Sequence, residues 1–193
     1  EVFRSSKAFK GVDDYWKAKL QTPIAPINYP FMSRLPKERM YNGARYDLII
    51  EPEVVRSLKS VAGHYGCSLY TVLLAGLKIL LLGLGGQSKM VVGMPVAGQA
   101  ITNNNDLVGG CLNYVPLISN LEWDQFFGQL LKNLRGTVLE AIENGRYSFN
   151  EISAGTSSTK EPARVPFIQL CLNMSPKMEG TQLKYHQLEV EYD

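Results

Sequence analysis

The chain has 193 residues, 45% of them hydrophobic and 20% charged, a length that buries about 70% of the unfolded surface around one core. Its 20 Lys and Arg against 18 Asp and Glu leave a formal charge of +2, too small a surplus for the clustered basic face that nucleic acid or an acidic membrane requires. The histidines His64 and His186 and the widely spaced Cys67, Cys111 and Cys171 form neither a metal-ligand spacing nor a Cys-x-x-Cys pair, so no metal site is expected and the thiols read as buried and free in a reducing cytoplasm.

The opening Glu1-Val2-Phe3-Arg4 shows no basic region followed by an apolar one, so no signal peptide is expected and the start reads as a cut from a longer polypeptide. Asp13 or Asp14 is placed to cap a short helix through Gln21 with Trp16 and Leu20 on one face, and both tryptophans read as core residues. Pro23, Pro26, Pro30 and Pro36 then dictate an extended connector over 22–44, because each Pro removes an amide donor and biases its predecessor away from helix. Arg45 to Glu51 alternates enough to predict a strand. From Glu53, the positions Val54, Leu58, Val61, Ala62 and Tyr65 make an amphipathic helix that Gly66 stops. Ser68 caps a second helix, apolar nearly all round from Leu69 to Leu84 and so expected at the centre of the core. That stretch is shorter than the roughly 20 residues a bilayer requires, and it contains Lys78.

Met90 to Met94 reads as a buried strand, Gly98 to Asp106 as a loop, and Leu112 to Ile118 as a returning strand. A third long helix is expected from about Trp123 to Asn144, ended by Gly145. After a Ser/Thr/Gly-rich loop, Ile168, Leu170, Leu172 and Met174 alternate against Gln169, Cys171 and Asn173 as a strand, with Leu183 to Tyr192 as its partner. The stop at Asp193, directly after strand-like sequence, also reads as a cut. Interleaved helices and strands without a repeat give an α/β class: a mixed β-sheet with helices packed on it.

Chemistry is sparse. Gly83-x-Gly85-Gly86 follows a helix and lacks the Lys-Ser or Lys-Thr of a phosphate loop, so it reads as a helix-ending turn. There is no Gly-x-Ser-x-Gly elbow, and neither histidine reads as a convincing catalyst. No catalytic residue and no metal ligand is assigned.

Several segments in order carry more information than any one alone: Asp14-Tyr15-Trp16 with Leu20; Gly66-Cys67-Ser68-Leu69-Tyr70-Thr71 through Gly76; Val91-Val92-Gly93-Met94-Pro95-Val96-Ala97-Gly98-Gln99; Val108-Gly109-Gly110-Cys111-Leu112-Asn113-Tyr114; Tyr147 to Ile152; and Arg164-Val165-Pro166-Phe167-Ile168. Together they resemble the second half of a nonribosomal peptide synthetase condensation domain, over nearly the whole chain. Gln99 stands where that family has Arg, Tyr114 where it has Thr, and Ser148 where it has Pro. The family's His-His-x-x-x-Asp-Gly motif has no counterpart here.

The resemblance implies that residues 1–193 are an incomplete C-terminal lobe of chloramphenicol-acetyltransferase-like fold. It would form one wall of a tunnel in which an acceptor amine attacks a donor thioester. The implied partners are the N-terminal condensation lobe, peptidyl or acyl carrier proteins and neighbouring synthetase domains, with neither nucleic acid nor membrane. The lobe would hold no cofactor of its own, the phosphopantetheine arms arriving on the carriers. Gly93, Met94, Pro95, Gly98, Gly109, Asn113 and Tyr114 are the implied tunnel candidates. The glycines permit close backbone approach, and Asn113 can either orient a thioester carbonyl or satisfy buried backbone groups. Two other readings are an inactive condensation-like module that binds a carrier or neighbouring domain, and a heterocyclising or ester-forming relative.

Overall fold

The computed structural model describes residues 7–27, 29, 43–98, 109–154 and 167–175. Its elements run α1 (Lys7–Lys19), α2 (Pro52–His64), α3 (Leu69–Gly85), β1 (Lys89–Ala97), β2 (Leu112–Asn120), α4 (Phe127–Glu143) and α5 (Phe149–Ala154). Helix α1 starts well before the expected cap, so Asp13 and Asp14 lie inside it. Asp13 is instead engaged sideways, by Lys17 Nζ at 2.6 Å one turn on and by the Tyr147 hydroxyl. Trp16 is buried and donates from Nε1 to the Asn144 carbonyl at 3.0 Å, fastening α1 to the end of α4.

The next two helices follow their local signals. Pro52 sits in the first turn of α2, where a missing amide costs nothing, and Gly66 supplies the positive φ of +60° that stops it. Ala62 is buried with Leu58 and Val61 packed on the core, but Val54 and Tyr65 of the expected stripe remain exposed. Ser68 Oγ accepts from the Thr71 amide at 3.1 Å at the start of α3, and Gly86 ends the helix at φ +67°, its amide donating to the Leu82 carbonyl at 2.8 Å. Leu74 and Ala75 are fully buried, yet Ile79, Leu80 and Leu84 are exposed. Helix α3 is thus central but enclosed on one side only, by α2, α4 and β2.

β1 and β2 are antiparallel, in register from Lys89 opposite Asn120 to Ala97 opposite Leu112. On the other edge of β1 the Gly93 amide donates to the Leu170 carbonyl at 2.8 Å and the Gly93 carbonyl accepts from the Leu172 amide at 2.9 Å, a parallel bridge centred on Cys171. Among the described residues the sheet is therefore two antiparallel strands, and the parallel pairing that a mixed sheet requires is confined to this one bridge. Because Gly93's peptide groups point to that edge, its pair with Pro116 is a non-hydrogen-bonded one, and so is Pro95 with Tyr114. Neither proline thereby removes a bond between β1 and β2, although Pro95 offers no amide to the edge that carries the parallel bridge. In the 168–174 alternation, Leu170 and Leu172 pack on the core while Cys171 and Asn173 face outward.

Three expectations are corrected. Residues 45–50 form no strand: Tyr46 and Ile49 are 89% and 88% exposed, and no described segment pairs with them, which a strand needs to satisfy its backbone. Trp123 is 72% exposed, because α4 begins at Phe127 and leaves it in the preceding turn. Of the thiols, Cys67 and Cys111 are half-buried and Cys171 is exposed, all three free. Gln99, His186, most of the Pro-rich connector and Leu183–Tyr192 lie outside the described residues. Among the described residues no single helix is long and apolar enough to cross a membrane.

Candidate functional site

The hairpin carries most of the candidate residues, and its register divides them between two faces. Met94 and Asn113 lie on the face shared by Met90, Val92, Val115 and Leu117, which packs into the core. Gly93, Pro95 and Tyr114 lie on the opposite face with Leu112, where Tyr114 is 38% and Leu112 60% exposed. The structure thus brings Pro95 and Tyr114 together at an accessible apolar surface and sends Met94 and Asn113 the other way.

Glycine is required at two of the candidate positions by the protein's own chain. A Cβ on Gly93 would lie 2.7 Å from both Cys171 Sγ and Ile168 Cγ2. One on Gly98 would lie 2.4 Å from the Cys111 carbonyl oxygen, to which the Gly98 amide donates at 2.7 Å. Gly109, before β2, has open space around it but a φ of +149°, a region L side chains avoid.

Of the two roles weighed for Asn113, the structure displays the second. Its Nδ2 donates to the carbonyls of Gly145 at 2.9 Å and Tyr147 at 2.8 Å, and its Oδ1 accepts from the Phe149 amide at 3.1 Å. One amide therefore serves three backbone groups of the turn between α4 and α5. The same turn receives Trp16 at Asn144, and the Phe9 and Tyr147 rings meet with centroids 5.5 Å apart. Ser148, the substitution for the family's Pro, caps α5. Its Oγ accepts from the Glu151 amide at 3.3 Å while its own amide donates to Glu151 Oε2 at 3.1 Å. This capping box was legible in Ser148-Phe149-Asn150-Glu151 and was missed by sequence reasoning.

The electrostatics around α1 are structural. The Lys17 ammonium, then the Tyr147 hydroxyl, hold the Asp13 carboxyl below the usual carboxylate range. Burial, with Glu140 at 3.3 Å, pushes the Tyr15 hydroxyl upward, and Lys19 pairs with the same carboxylate at 2.9 Å. His64 closes α2, exposed and edge-on to the Tyr65 ring. Among the described residues no three His, Cys, Asp or Glu side chains gather as a metal site would need.

Comparison with known proteins places this arrangement. The chain is 31% identical over 172 residues to one of the plipastatin synthase proteins of Bacillus subtilis (strain 168), covering 89% of this chain and 5% of that protein. It is 28% identical to bacitracin synthase 3 of Bacillus licheniformis, covering 89% and 3%. Among solved structures it superposes on the X-domain from teicoplanin biosynthesis with a TM-score of 0.78 at 17% identity, over 87% of this chain and 37% of that one. On the first condensation domain of the CDA synthetase the TM-score is 0.69 at 18% identity, over 93% and 38%. The fold is the chloramphenicol-acetyltransferase-like one expected, and the chain spans well under half of each of these relatives. Because the condensation-domain family model matches residues 1–192, nearly end to end, this chain belongs to the condensation-domain family.

Proposed function

We propose that the chain is the C-terminal lobe of a condensation domain, spanning residues 1–193 with the Pro-rich connector at 22–44. In this reading it helps join carrier-bound acyl or aminoacyl thioesters into amides in peptide or hybrid peptide/polyketide synthesis. The observation that carries the reading is the family match over residues 1–192 combined with a hairpin whose open end carries Pro95, Leu112 and Tyr114 on its outer face. Aminolysis of a thioester gains much of its rate from proximity and orientation, which an apolar wall supplies by confining a phosphopantetheine arm. The arms come on carrier proteins, and the lobe holds no cofactor of its own. The adjacent histidines that the family uses are absent from these residues, so the acid/base group belongs to a first lobe. A cytoplasmic compartment fits the three free thiols.

Within this reading Pro95 and Tyr114 face the tunnel from the wall, while Gly93, Gly98 and Gly109 shape it. Met94 and Asn113 act from behind as packing and positioning residues. Combined with a first lobe bearing the histidine pair, Tyr114→Trp is expected to lower amide formation about tenfold or more by misplacing the arm, with the melting temperature unchanged. A rate equal to that of the unmodified chain would remove this face from the tunnel.

A second reading is supported by the fold likeness to the X-domain, one solved example of which is a complex with OxyB. On that reading the lobe is an interaction module for a carrier or neighbouring domain without chemistry. It is favoured if the combined lobes bind carriers and form no amide.

A further inference from the structure

Helix α3 has one charged residue, Lys78, and its side chain is completely buried. Its Nζ donates to the Leu117 carbonyl of β2 at 3.1 Å, the one hydrogen bond of the amine among the described residues. Leu117 lies opposite Val92 in a pair whose peptide groups face each other across the hairpin, so its carbonyl already has a ladder partner. The lysine adds a second bond there instead of rescuing an orphaned acceptor.

Among the described residues nothing anionic compensates this amine. Helix α3 has no acidic residue and β2 has no charged one, and the only charge on β1, Lys89, reaches the Thr22 carbonyl. Glu53, Arg56, Lys59 and His64 of α2 and Lys132, Arg135, Glu140 and Glu143 of α4 all lie on exposed positions. The polar residues nearby in register, Asn113 and Ser119 on β2, are neutral. Burial alone therefore lowers the Lys78 amine from 10.5 to about 7, since a low-dielectric site disfavours the charged form.

We propose that Lys78 is a proton-sensitive brace between α3 and β2: the neutral amine holds the Leu117 carbonyl, and taking up a proton from solvent in this aliphatic interior loosens the strand from the helix. The inference is independent of the condensation reading. An unfolded lysine holds its proton up to its ordinary value, whereas the folded one has released it above about 7. Between those values the unfolded chain binds the extra proton, so stability rises with pH through this window and is flat below it.

The test compares denaturant unfolding of this chain with Lys78→Met from about pH 7.5 to 9.5, where one linked proton is worth about tenfold in the unfolding constant per pH unit. Burial raises the Tyr15, Tyr70 and Cys171 groups and weighs in the other direction, but these contributions cancel in the comparison. The unmodified chain is expected to gain stability relative to the variant by close to that factor, and the variant to be the more stable at neutral pH. Parallel pH profiles would overturn the proposal. Should the variant not fold, nitrogen-resolved NMR of the Lys78 amine in the unmodified chain decides. A midpoint near neutrality, with amide protection in β2 falling below it, supports the brace. A midpoint above about pH 10, or β2 protection indifferent to the titration, refutes it.

Discussion

Asn113 shows what a polar residue inside an apolar strand is doing here. With three backbone partners in one turn, Asn113→Ala is expected to cost about 2–3 kcal/mol, because it deletes the bonds and leaves buried carbonyls unpaired; urea denaturation reads this directly. The glycines separate by what crowds them. Gly93→Ala meets only side chains at 2.7 Å and should cost about 1–3 kcal/mol. Gly98→Ala meets a backbone oxygen at 2.4 Å that cannot swing aside, and should cost more. Thermal melts that rank the two in the opposite order would contradict the packing described. That these glycines permit close approach was legible in the sequence. What approaches them was not, because Ile168, Cys171 and Cys111 come from segments whose pairing depends on long-range register.

Helix ends were legible wherever the signal is local. Ser68, Gly66 and Gly86 cap or stop their helices as single-residue chemistry requires. Helix α1 escaped because the Asp13 carboxylate is occupied by Lys17 and Tyr147, and a tertiary partner overrides a capping preference. The 45–50 segment misled because its apolar residues include Ile49 as well as Tyr46, Leu48 and Ile50, so its alternation was incomplete from the start. Two elements can be tested on their own terms. Trp16→Phe keeps an aromatic ring but removes the Nε1 bond to Asn144, with an expected loss of about 1 kcal/mol by denaturant titration. In the capping box of α5, Ser148→Ala and Glu151→Ala should each destabilise by about 0.5–1 kcal/mol. The double variant should lose less than their sum, as reciprocal bonds couple the pair.

At the scale of the molecule, class and family were legible because they rest on the order of many short segments, and a sheet with helices packed on it followed from their interleaving. The division of the candidate site between two faces was partly legible: period two already separates Gly93 and Pro95 from Met94. Which residues of β2 join each set depends on the register of the hairpin, which the intervening loop conceals. Neither could burial of Lys78 be read, since a lysine in an apolar run is as well placed to reach solvent. In the proposed reading the outer face of the hairpin, with Pro95, Leu112 and Tyr114 at its open end and Lys89 at the far end, confines the arm, and a second lobe completes the tunnel. The most direct test follows a donor-loaded and an acceptor-loaded carrier protein by intact mass, with this chain alone and with a first lobe that bears the histidine pair. The expected result is amide product on the acceptor carrier only when both lobes are present. Product from this chain alone, or none from the folded pair of lobes, would contradict it.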